Sequence, residues 1–159
     1  MAFRIGLGID SHRIGSGGPM RIGGIDIQGE YHLIGHSDAD VLLHAITDAL
    51  LGAAGMDDIG QLFPDTASQN KGRDSAELLA MAWEKVAGSG FEIVNFDCVV
   101  RMERPKISPH KMAIRQRIAS ILNIRIDQIS IKGKTGEATG DIGQSRLVEA
   151  HCVVLLLQK

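Results

Sequence analysis

Apolar positions gather in five short runs, "FRIGLGI" (3–9), "MRIGGIDI" (20–27), "FEIVNFDCVVRM" (91–102), "QISIKGK" (128–134) and "VEAHCVVLLL" (148–157). All are rich in Ile and Val and bounded by turn residues, which predicts strands. The last holds a continuous apolar stretch, as expected of a strand covered on both faces. Helical spacing occurs three times. Residues 38–54 place Val41, Leu42, Ala45, Ile46, Ala49 and Leu50 on one stripe, with Asp38 and Asp40 at the end where a helix favours acids. Residues 74–90 open with Asp74 and Glu77 in the spacing of a capping box and close on Gly88 and Gly90. Residues 108–123 open with Ser108 as N-cap and Pro109 at the first helical position. Strands and helices interleave without a repeat, linker or low-complexity stretch. The expected class is α/β (α+β), with one domain over residues 1–159.

Composition changes this picture little. The chain is 44% hydrophobic and 23% charged with a net charge of −2, so electrostatics argue for neither nucleic acid nor an anionic membrane as partner. No apolar run is long enough to cross a bilayer, and Arg4 and Asp10 interrupt any signal-peptide core. Cys98 and Cys152 sit in strand-like apolar contexts and read as buried free thiols of a reducing compartment, with the cytoplasm as the expected location. Glycine is abundant (19 residues) while aromatics number 6, which suits phosphate binding by backbone N–H groups better than base stacking.

The candidate chemistry begins at "GIDSHRI" (8–14). Asp10 and His12 lie two apart on a predicted strand and therefore share a face. They are either ordinary exposed polar residues or two ligands of one metal ion. His44, inside the first helix, adds a third candidate ligand, and two histidines with one carboxylate form a known catalytic Zn²⁺ set with an open position. Asp40 and Asp48, each four residues from His44, can both lie on its face. In "HSDAD" (36–40), Ser37 or Asp38 reads as the helix cap, while His36 has no such structural duty. "DDIGQLFPD" (57–65) combines acids with Ile59, Leu62 and Phe63, which a purely solvated loop would not need. "ERPKISPH" (103–110) is a basic turn before a helix. "KGKTGEATGDIG" (132–143) lacks the order of a P-loop, and it reads either as a glycine-rich hairpin loop or as a phosphate cradle with Thr135 and Glu137. No Ser-His-Asp or Cys-His arrangement stands out. The residues alone lead to a metal-assisted enzyme acting on a phosphorylated small molecule.

Taken together, "GIDSHRI", "HSDADVLLHAITDALLGAAGMDDIGQLFPD", "KGRDSAELL", "RPKISPH", "IKGKTGE" and "EAHCVVLLL" resemble, in order and over essentially the whole chain, the 2-C-methyl-D-erythritol 2,4-cyclodiphosphate synthases of the non-mevalonate isoprenoid pathway. The resemblance implies a mixed four-stranded sheet packed on helices, in a homotrimer with active sites between subunits. It implies metal ligation by Asp10, His12 and His44, with zinc the usual ion. Glu137 would help hold Mg²⁺ or Mn²⁺ on the substrate diphosphate. Substrate contacts would come from Asp10, His12, His36, Ser37, Asp58, Ile59, Gly60, Phe63, Asp65, Lys106, Lys134, Thr135 and Glu137, with His36 and Thr135 as catalytic groups. The implied reaction cyclises 4-diphosphocytidyl-2-C-methyl-D-erythritol 2-phosphate with release of CMP. In one respect the chain departs from the pattern: Gln144 stands where many members have arginine, with Arg146 two residues on. A metal-dependent phosphohydrolase and a non-catalytic nucleotide-binding trimer are the rival readings. The intact Asp10, His12, His44 and Glu137 set argues against the second.

Overall fold

A computed structural model describes residues 1–64, 66–68 and 72–159. The strands are β1 (Ala2–Ser16), β2 (Met20–Ile22), β3 (Ile25–Ile27), β4 (Tyr31–Ile34), β5 (Phe91–Arg101), β6 (Ile129–Lys134) and β7 (Leu147–Gln158). The helices are α1 (Val41–Ala53), the short α2 (Ile59–Leu62), α3 (Ser75–Gly88), α4 (Lys111–Leu122) and the short α5 (Gly140–Gly143).

One sheet carries the fold, in the order β4-β1-β7-β5-β6, with β5 and β6 parallel and the other pairs antiparallel. It has five strands where four were expected. The fifth is β4, which pairs with the far end of β1 from Arg13 to Ser16. The predicted strand 20–27 is instead a hairpin of β2 and β3. Gly23 and Gly24 both have positive φ (63° and 75°), the backbone a two-residue hairpin turn requires.

Helices α1, α3 and α4 cover one face of the sheet. β7 turns Val148, Ala150, Cys152, Val154 and Leu156 inward, each fully buried. Its other side is half open, with Val153 at 44% exposure, so the protomer covers this strand on one face rather than two. A bulge between Ile93 and Asn95 lets β5 bury Phe91 and Ile93, then Phe96, Cys98 and Val100. Cys98 and Cys152 face each other across β5 and β7 as free buried thiols, as expected, with 3.5 Å between sulfurs.

What positions the site is the contact of α1 with β1. Inward-facing Gly6 and Gly8 leave room for the helix backbone: a Cβ on Gly6 would lie 1.9 Å from the Ala49 carbonyl oxygen, and one on Gly8 would lie 1.8 Å from that of Ala45. Two strand residues advance about 6.6 Å and one helical turn of four residues about 6 Å, so the two ladders of small residues stay in step. The next inward strand position is Asp10, and the helix residue that meets it is His44. Two residues further along the same face, His12 follows.

The helix caps differ in part from expectation. Asp40, not Ser37 or Asp38, caps α1: its buried carboxylate accepts from Leu43 N–H and also from Gly23 and Gly24 N–H. Asp38 is otherwise engaged, as described below. Asp74 caps α3 as predicted, accepting from Ala76 N–H. Residues Ser108–His110 form a separate 3₁₀ turn, and α4 begins only at Lys111.

Candidate metal and substrate site

β1 delivers Asp10 and His12 to one face, and α1 brings His44 down onto them. Asp10 Oδ2 lies 2.9 Å from His12 Nε2 and 3.0 Å from His44 Nδ1, and the two ring nitrogens are 3.3 Å apart. A tetrahedral ion with bonds of 2.0–2.1 Å holds its ligands about 3.3 Å from one another, so this triangle has the size of one face of such a site. The far nitrogens are occupied. His12 Nδ1 faces the Ile34 carbonyl at 3.2 Å, an acceptor only, which leaves Nε2 as a lone pair. His44 Nε2 faces the hydroxyls of Ser75 (2.8 Å) and Ser37 (3.2 Å), turning Nδ1 toward Asp10. With a proton on each outer nitrogen the three inner atoms are all acceptors, and a metal ion or a shared proton must lie among them. The residues therefore fit a divalent metal ion, and Asp10, His12 and His44 form a group able to hold one.

The electrostatics agree with this. Burial opposes ionisation of Asp10, yet His12 and His44 outweigh it through hydrogen bonds and charge and hold the carboxyl down at about 2. Burial also works against a proton on His44, but Asp10 beside it raises the imidazole above its ordinary value.

The triangle forms part of the wall of a cavity of about 230 Å³, which is also lined by His36, Ser37, Ile59, Gly60, Phe63 and Leu78. Asp58 caps the short α2 by accepting from Gln61 N–H. Asp48 accepts from Ile59 N–H at 2.8 Å and so ties that loop to α1. Thus Asp40 and Asp48, although spaced to share a face with His44, serve as anchors of neighbouring backbone. Ser75 and Leu78, both from α3, were not legible as site residues. A serine opening a helix and a leucine in its apolar stripe carry no distinguishing signal. Asp65 lies outside the described residues.

The other expected contacts stand apart from this cavity. β7 runs antiparallel to both β1 and β5, and β6 is parallel to β5. The carboxyl ends of β1, β5 and β6 therefore share one edge of the sheet. Three strand spacings separate β1 from β6, about 14 Å. There Lys106 lines a separate cavity of about 460 Å³ with Arg104, Pro105 and Tyr31 among others. Lys134, Thr135 and Glu137 follow β6. Met102 N–H donates to the Lys134 carbonyl and Gly136 N–H to Glu103 Oε2, which binds the two loops together. Thr135 Oγ1 donates to Glu137 Oε1 at 3.1 Å, and Glu137 holds a left-handed backbone (φ 49°). Gln144 donates to the Ala138 carbonyl within its own loop, and Arg146 pairs with Asp141 at 3.0 Å.

Comparison with known proteins places this geometry in context. The family model described as YgbB family matches residues 3–157. The chain is 50% identical over 159 residues to the 2-C-methyl-D-erythritol 2,4-cyclodiphosphate synthase of Rhodopirellula baltica, covering 100% of this chain and 96% of that one. It is 49% identical to the synthase of the same name from Chromobacterium violaceum, covering 98% and 99%. Among solved structures, a CDP-bound form of a 2-C-methyl-D-erythritol-2,4-cyclodiphosphate synthase superposes with TM-score 0.90 at 37% identity, covering 97% of this chain and 100% of that one. The CDP complex of IspF from Plasmodium falciparum gives 0.87 at 36%, covering 99% and 97%.

Proposed function

This chain belongs to the YgbB family, and from that premise we infer what its site does. The protein is an enzyme of isoprenoid precursor synthesis. It converts 4-diphosphocytidyl-2-C-methyl-D-erythritol 2-phosphate into 2-C-methyl-D-erythritol 2,4-cyclodiphosphate and CMP. An oxygen of the substrate's own 2-phosphate attacks the β-phosphorus. The bond from that phosphorus to the oxygen bridging to the α-phosphorus breaks, and CMP departs with the electron pair. Neither water nor a protein nucleophile enters, so the chain's task is to hold two mutually repelling anions in line. Bound divalent ions, Zn²⁺ at Asp10, His12 and His44 and Mg²⁺ or Mn²⁺ with Glu137, supply charge neutralisation and Lewis acidity.

The observation that carries this reading is the metal-sized triangle of Asp10, His12 and His44 in the wall of a cavity also lined by His36, Ser37 and Gly60. His36 and Ser37 hold the phosphate beside the ion. Asp58, Ile59, Gly60 and Asp65 grip the erythritol part, while Phe63 and Leu78 form an apolar wall that keeps water from the reacting phosphorus. Lys106, Lys134 and Thr135 bind the cytidine and α-phosphate end, and Thr135 with His36 steadies the charge that develops during displacement.

The working unit is a homotrimer whose sites join two protomers, each protomer acting as one domain over 1–159. Two observations support it. Within one chain the strands that carry the two halves of the site are three strand spacings apart, about 14 Å. The outer face of β1 also leaves Phe3, Ile5, Leu7 and Ile9 at 52–73% exposure, beside half-open β7, and such a stripe calls for a partner surface. Among the described residues no helix is long and apolar enough to cross a membrane. Nothing in the net charge suggests nucleic acid as a partner, and the cytoplasm is the place of work we assign.

Phosphorus NMR of the protein with the diphosphocytidyl substrate and Mg²⁺, with and without a chelator, tests the reaction. A cyclic diphosphate signal should grow together with CMP and vanish on chelation. Linear phosphates would replace this reading with hydrolysis, and an unchanged substrate would reduce the protein to a binding module.

A further inference from the structure

A neutral imidazole has two tautomers, and only one lets His44 offer Nδ1 to the ligand triangle. Which one forms is decided behind the ring. Ser75, fully buried at the start of α3, donates its hydroxyl proton to Asp38 Oδ1, and its backbone N–H donates to Asp38 Oδ2 at 3.0 Å. Asp38 receives Asp40 N–H at 3.2 Å as well, and Arg21 Nε of β2 lies 3.3 Å from it. A carboxylate offers acceptors only, so the Ser75 proton is committed to Asp38. The Ser75 oxygen then has only lone pairs left for His44 Nε2, 2.8 Å away. That contact is a hydrogen bond only when Nε2 carries the proton. Ser37 is the longer contact at 3.2 Å; it accepts from Ala39 N–H at 3.4 Å and keeps a second lone pair for the same Nε2–H.

We propose that Ser75, backed by Asp38, is a positioning residue that locks His44 in the Nε2–H tautomer and so keeps Nδ1 open to the metal ion. The arrangement follows the general habit of metal-binding histidines, whose outer nitrogen is oriented by a partner worth about 10- to 100-fold in metal affinity. Here the partner is a hydroxyl that cannot reverse its hydrogen bond, because its own proton is already given away. The same contacts join three elements, α1 through His44, α3 through Ser75 and the loop before α1 through Asp38.

The inference rests on Asp10, His12 and His44 forming a metal site, and two measurements separate its fate from that reading. The first is nitrogen-15 NMR of histidine-labelled native protein, metal-free and at a pH where the imidazolium is discharged. His44 should show its proton on Nε2; a proton on Nδ1 overturns the proposal, whether or not any variant folds. The second is Zn²⁺ affinity measured by competition with a chromophoric chelator. Ser75→Ala should bind about 10- to 100-fold more weakly, and Ser75→Thr, which keeps the hydroxyl, should recover most of the loss. Ser75→Ala binding as tightly as the native chain overturns the proposal, as does a threonine variant no better than alanine, which would make the effect one of packing. Native protein that takes up no Zn²⁺ would instead remove the metal reading itself.

Discussion

Gly8 is two residues from the nearest ligand, yet Gly8→Ala should disable the metal site. An added Cβ would lie 1.8 Å from the Ala45 carbonyl oxygen and 2.7 Å from Ala49 N, both backbone atoms that cannot rotate away. Real Cβ atoms essentially never come closer than 3.0 Å, so α1 must lift from β1 by about 1.2 Å, the difference. His44 precedes Ala45 and moves with it. The Asp10–His44 separation of 3.0 Å then grows to about 4 Å, beyond the roughly 3.3 Å edge that a tetrahedral ion can span. One ligand is lost or badly strained, and Zn²⁺ affinity should fall by at least about 100-fold. Stability should fall by about 3 kcal/mol, the upper range for overpacking, because the obstacle is main chain. Gly52→Ala is the control: it lies on the same helix, meets nothing within 4 Å, and should gain up to about 1 kcal/mol from helix propensity with metal binding unchanged. Chelator competition and urea unfolding on both variants supply the two numbers. A folded Gly8→Ala protein with native zinc affinity would refute the idea that helix–strand contact sets the ligand geometry.

Four further outcomes are expected. His44→Ala should lose turnover while keeping a native-like circular dichroism spectrum, and an active variant would sink the ligand assignment. Asp40→Ala strips the acceptor from three backbone N–H groups, so unfolding free energy should drop by about 3–5 kcal/mol; a loss below about 1 kcal/mol would show that solvent replaces the carboxylate. Asp10, with its pKa depressed to about 2, stabilises the metal-free protein above the ordinary carboxylate range and ceases to do so as pH falls toward 2. His44, with its pKa raised, stabilises it at low pH and ceases to do so as pH rises through the folded value. The ion displaces that same proton, so zinc affinity should climb about tenfold per pH unit until His44 is discharged and then level off. A flat titration profile would contradict this. Leu7→Glu places a charge in the exposed β1 stripe and should yield monomers in sedimentation equilibrium, with the metal site intact and turnover lost; an undisturbed trimer would mean that this face is not the contact.

The strands and helices were largely legible because burial follows the periodicity of the chain, as in β7, where alternate residues from Val148 to Leu156 are buried. The errors came from local competition. Gly23 and Gly24 fold what looked like one strand into a hairpin, and Asp38 yields the cap of α1 to Asp40 because Ser75 and Arg21 already hold its carboxylate. Asp10 and His12 could be paired from their spacing alone. His44 could not be joined to them by spacing, although the ladder of Gly6 and Gly8 against Ala45 and Ala49 was present to be read. Ser75 was invisible because its role depends on α3 ending its approach beside α1, a tertiary fact. The Lys106 and Thr135 half could not be joined to the first half either, since their separation within one chain is a property of strand order.

β1 uses its two sides for unrelated purposes. Gly6, Gly8, Asp10 and His12 point inward, while Phe3, Ile5, Leu7 and Ile9 point outward. Strand parity is therefore a hard constraint on how this segment can change. Inserting or deleting one residue between Gly8 and Asp10 would keep helix docking but turn both ligands to the opposite side, bringing Ser11 inward in either case. A two-residue change would restore the facing but shift the ligands by about 6.6 Å, one whole rung of the ladder, and so carry Asp10 away from His44. Length variation in this protein must fall outside β1, because the strand tolerates substitution one side at a time and tolerates no change in its count.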